Sequence, residues 1–125
     1  MNRIGIAFLV SLACLVSSQA SETHRVFGKW VEILHKKAKM QISAIDPSDE
    51  DHGMVKLSHG HKVAASVYQV YNSKVSTNTD GTPEYSFAVH LEDDGVKLDE
   101  VWVLDDDTLL LVMYNNTATG WVRRY

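Results

Sequence analysis

This sequence predicts an all-β fold: an eight-stranded antiparallel up-and-down barrel. Three observations carry that expectation. Apolar and polar residues alternate along short runs, turn-forming residues separate the runs at fairly even spacing, and helical periodicity is thin. Residues 84–91 show the alternation best. Tyr85, Phe87, Val89 and Leu91 share one face, and Ser86, Ala88 and His90 share the other.

Residues 1–20 stand apart from the fold. Arg3 supplies a positive charge, residues 4–16 are apolar apart from Gly5 and Ser11, and Ser18 and Ala20 occupy the small-residue positions of a cleavage site. They are expected to form a secretory signal cut after Ala20, because the apolar run is shorter than the ~20 residues that span a bilayer. Lipidation at Cys14 is the alternative processing. Residues 21–125 then form one domain, secreted or periplasmic, with no cysteine and therefore no disulfide, thiolate metal site or thiol nucleophile. Closure of a sheet into a barrel suits such a chain, since it removes exposed edges.

The eight strands are expected at 26–33, 38–45, 54–58, 63–75, 84–91, 96–104, 108–114 and 119–124. In the second, Met40, Ile42 and Ala44 alternate with Lys39, Gln41 and Ser43 until Asp46-Pro47 stops the ladder. Residues 48–53 read as an acidic, solvated loop. His59-Gly60-His61, Asp80-Gly81 and Asp94-Gly95 are turn signals, and Asp105-Asp106-Asp107 and residues 115–119 join the last three strands. The seventh strand is apolar on both faces, with Leu109, Leu111 and Met113 opposite Leu110, Val112 and Tyr114. Residues 30–39 also fit a short amphipathic helix. On that reading the fold is α+β with a curved antiparallel sheet.

Gly28-Lys29-Trp30 at the start of the first strand, with Arg123 and Arg124 on the last, resembles the lipocalin-like calycin superfamily of small barrels. The resemblance implies that Trp30 plugs one end of the barrel beside Gly28 and that a basic side chain, Arg123 or Arg124, lies across the indole. It also implies a non-enzymatic binding protein. Eight strands enclose an interior that side chains just fill, or that holds one small ligand.

Removing Arg3 from 12 basic residues leaves 11 against 16 acidic ones, a net charge of −5. That balance and the lack of a basic stripe argue against nucleic acid and against adhesion to anionic lipid. The chain has no Gly-x-Ser-x-Gly elbow, phosphate-cradling glycine loop or His-Glu-x-x-His, so no enzymatic activity is expected. Tyr68, Tyr71, Tyr85, Phe87, His90 and Trp102 are candidates to line a pocket for a small apolar or aromatic ligand, beside Ser66 and Asn72. An interaction module, such as an inhibitor of an exported enzyme, is the competing expectation. His59 and His61, with His52 and the nearby Asp51, form a candidate zinc or copper site, since imidazole and carboxylate suit both metals. Asn115-Asn116-Thr117 is a glycosylation acceptor in a eukaryotic host.

Overall fold

The computed structural model describes residues 22–93 and 95–124. The signal-like segment and Cys14 lie outside the described residues. A 3-10 turn, Thr23–Val26, precedes eight strands: β1 Gly28–Glu32, β2 Ala38–Asp46, β3 Asp49–His59, β4 Lys62–Thr77, β5 Pro83–Asp93, β6 Val96–Asp105, β7 Leu109–Tyr114 and β8 Thr117–Arg123. Each strand pairs antiparallel with its neighbours in sequence, and β8 returns to β1, closing the barrel. Strand takes 74% of the described residues and helix 4%. The α+β alternative is thereby overturned: Trp30 to Glu32 are strand, and Ala38 begins β2 directly opposite His59 of β3.

Turn chemistry explains the connections. Asn115 and Asn116 take φ of 50° and 67°, and Asp106 and Asp107 take 52° and 57°. Asn and Asp tolerate this left-handed region better than other non-glycine residues. The Asn115-Asn116 pair closes a two-residue hairpin of the primed type, whose twist matches the strands it joins.

The expected acidic loop at residues 48–53 is instead mostly strand. Asp46 Oδ1 accepts from the Ser48 backbone N–H at 3.0 Å and from its hydroxyl at 2.9 Å. That local turn lets Asp49 pair with Asp46 at once, so β3 runs through the acidic stretch. Val26 also leaves the expected first strand. It closes the 3-10 turn and is fully buried.

Alternation then decides what is inside. Trp30, Met40, Ile42, Val55, Tyr68, Val70, Phe87, Val89, Trp102, Leu104, Leu110 and Trp121 form one continuous core. β4 is long enough to serve two neighbours. Its start pairs with β3 and its end with β5, and the register shifts between Val70 and Asn72. Tyr71 is the unpaired residue of that bulge, and its ring lies on the outer wall. Tyr68 lies over Gly53, where a Cβ would meet the tyrosine hydroxyl at 2.5 Å. Only glycine lets the ring cross β3 so closely.

Candidate functional site

One end of the barrel is sealed. Trp30 is fully buried, and its indole N–H donates to the Val26 carbonyl at 2.9 Å. Arg123 stands opposite Trp30 in the β1–β8 register, with its guanidinium 4.3 Å from the indole. Its Nε donates to the Asp107 carbonyl at 2.9 Å, its Nη1 to the Phe27 carbonyl at 3.0 Å, and its Nη2 to the Arg25 carbonyl. Arg123 is therefore the residue across Trp30; Arg124 turns outward. Gly28 sits at φ 135°, and a Cβ there would come within 3.1 Å of Arg123 Nη1. Positive φ and the close approach both explain the glycine. Arg25 reinforces the seal, lying 4.7 Å over Tyr85 and pairing with Glu22 at 2.8 Å.

The opposite end opens into a cavity of about 320 Å³. Met40, Val55, Leu57, Leu91, Leu98, Val112 and Trp121 make its apolar wall. Ser66, Thr117, Thr119, Tyr114, Asp93 and Glu100 add polar points. Trp121 donates its indole N–H to Thr119 Oγ1 at 2.9 Å, which fixes the ring against β8. Trp102 donates to Glu100 Oε1 at 2.9 Å. Burial pushes the Glu100 carboxyl above the usual carboxylate range, and the indole N–H opposes that shift.

The six expected pocket residues lie elsewhere. Tyr68, Tyr85, Phe87 and Trp102 are buried in the core below the cavity, with Tyr68 and Trp102 packed 5.1 Å apart at 60°. The Tyr68 hydroxyl is buried without a hydrogen-bond partner. Burial, and then the Asp51, Glu50 and Asp49 carboxylates, push its phenol well above the ordinary tyrosine range. Tyr71 and His90 stack on the outer wall, 4.0 Å apart at 17°, and His90 Nδ1 contacts Asp99. Their alternation was legible, but which face is interior was not. The residues that do line the mouth come from the ends of β2 to β8 that sequence reading could not rank.

The histidines do not converge. His52 lies near the sealed end, 2.7 Å from Asp49, whereas His59 ends β3 at the mouth. Seven steps of a strand separate them by roughly 23 Å. Among the described residues no group of three or more His, Cys, Asp or Glu is placed to hold a metal ion.

The outer wall also gathers charge that the sequence scatters. Lys29, Lys39, Lys56 and Arg124 surround a shallow groove of about 170 Å³ with Gln41 and Ser58. The register sets Lys29, Gln41 and Lys56 in one row across β1, β2 and β3.

Comparison of the chain with protein-family models, with curated proteins and with solved structures finds no match. Among the described residues no helix is long and apolar enough to cross a membrane. The architecture is that of an eight-stranded closed barrel, compatible with a lipocalin-like fold.

Proposed function

We propose that this chain is an exported, non-enzymatic binding protein of the lipocalin-like type, holding a small apolar or aromatic ligand in the open end of its barrel. The mouth cavity carries this reading: it is mostly apolar, deep enough to reach Met40 and Trp121, and furnished with a few polar anchors. Small-molecule sites share that composition. The Gly28, Trp30 and Arg123 constellation supports the resemblance on which the class of function rests.

Native mass spectrometry of gently purified protein tests the reading. A small molecule that copurifies with the wild type and is lost from Val112→Trp, whose indole fills the cavity, supports it. An empty wild type that also fails to bind a panel of small apolar and aromatic compounds overturns it. A protein-interaction module is the second reading. It draws on apolar side chains exposed around the same mouth, with Leu34 at 85% and Val63 and Val96 near 60%. Copurification of a protein that Val112→Trp still retains favours that second class.

A further inference from the structure

The mouth cavity has a charge character that an apolar pocket does not require. Its lining includes two carboxylates, Asp93 and Glu100, and no Lys, Arg or His. Glu100 stands on β6 between Leu98, which faces the cavity, and Trp102, which is fully buried. Among the described residues, the Trp102 N–H is the one donor that reaches it, through Oε1. A third carboxyl lies close by. Glu32 points into the barrel opposite Trp121 in the β1–β8 register, is 9% exposed, and buries Oε2 with no hydrogen-bond partner. Among the described residues none of the three carboxylates has an ion-pair partner.

Desolvating a carboxylate without a counter-charge is costly, and proteins ordinarily pair such groups. Cations are available to this fold, yet Lys29, Lys39, Lys56 and Arg124 sit on the outer wall and Arg25 and Arg123 serve the sealed end, away from the cavity. The mouth cavity is thus acidic and apolar together. A fatty acid or any other anionic ligand would meet like charge there. A neutral ligand would leave the carboxylates as they are. A protonated amine on an apolar body would answer both features at once, with Trp121 offering a ring face to an aromatic body or to the cation itself.

We propose that the mouth cavity is a site for an amphipathic organic cation, an aryl- or alkyl-ammonium, whose ammonium group pairs with Glu100 and whose apolar body packs against Leu98, Val112 and Trp121. This rests on the proposed function above and narrows it to one ligand class. Glu100 supplies the counter-charge and specificity, while Asp93 in the same lining adds to the negative potential.

Three probes of one shape separate the possibilities: 2-naphthylmethylamine, 2-naphthylmethanol and 2-naphthoate, each titrated calorimetrically at pH 7. The wild type should bind the amine at least tenfold more tightly than the alcohol, and the naphthoate least. In Glu100→Gln, which keeps an acceptor for the Trp102 N–H, the amine-to-alcohol ratio should fall to about three or less. Tyr71→Ala, on the outer wall, should keep the wild-type order. Equal binding of amine and alcohol by the wild type overturns the cation proposal while leaving the apolar pocket standing. A tenfold preference that Glu100→Gln retains overturns the role of Glu100. Failure of all three probes to bind overturns the cation proposal and removes support from the pocket reading as well.

Discussion

The two ends of this barrel are built from similar side chains to opposite purposes. The sealed end brings an indole, a guanidinium and four backbone carbonyls together so that the indole N–H and all three guanidinium nitrogens have acceptors. The open end brings an indole and carboxylates together and leaves those carboxylates without a cation. Saturated polar groups hold a structure in one state; unsatisfied ones store an affinity for something that can answer them. On that contrast, damage at the sealed end should appear as lost stability, and changes at the mouth as altered binding.

The largest effect is expected from Trp30→Ala. A fully buried indole next to the closing seam should cost about 3–5 kcal/mol, read by urea unfolding. Arg123→Ala comes next. It removes donors from three carbonyls as well as the stacking on Trp30, and at about 1 kcal/mol or more per charged hydrogen bond should cost roughly 3 kcal/mol. Arg123→Lys should recover only part of this, because an ammonium cannot reproduce the planar fork. Arg124→Ala should stay within about 0.5 kcal/mol of the wild type, as an outer-wall residue. Equal losses at Arg123 and Arg124 would break the comparison.

Glu100 should sharpen it through pH. Burial raises its folded-state pKa, so the native protein holds a proton that the unfolded chain has already released. In the window just above the ordinary carboxyl pKa, stability should therefore fall as pH rises. Thermal unfolding of Glu100→Gln across that window should lack this component and, at pH 7, should show a melting temperature no lower than that of the wild type. A variant markedly less stable at pH 7 would assign the carboxylate a structural role instead. Tyr71→Ala on the outer wall should also have a small effect, about 1 kcal/mol or less, the worth of an exposed ring pair, measured by the same melts.

The barrel was legible because strand alternation and turn chemistry act locally. Residues 84–91 and the Asp94-Gly95 signal announce β5 and its hairpin with no tertiary information. The sealed end was half legible. Gly28 and Trp30 stood out, but choosing Arg123 over Arg124 requires the β1–β8 register, a contact across the whole chain. The mouth was least legible. Met40, Leu98, Val112 and Trp121 are unremarkable apolar residues on four strands, and only closure sets them around one space. Large aromatics attract attention in a sequence, yet Phe87 and Trp102 are the ones drawn deepest into the core, where they exclude a ligand. The acidic stretch 48–53 misled because Asp46 makes its turn within two residues. The four outer-wall cations were hidden for the same reason that the mouth was: no two are adjacent in the chain.

The β1–β8 seam has a kinetic consequence. Every other ladder joins strands consecutive in the chain, so seven hairpin pairings can form with short loops. The seam sets Trp30 opposite Arg123 and brings Phe27 to Arg123 across 96 residues, and must wait until the intervening sheet exists. Loop closure on that scale is entropically unfavourable, and its cost falls before the seam's own contacts reward it. Until then β1 and β8 are two unprotected edges, open to pairing with other molecules. Arg123, anchoring the last strand to the Arg25 and Phe27 carbonyls of the first segment, is thus also the latch that ends the interval in which this chain is prone to aggregate.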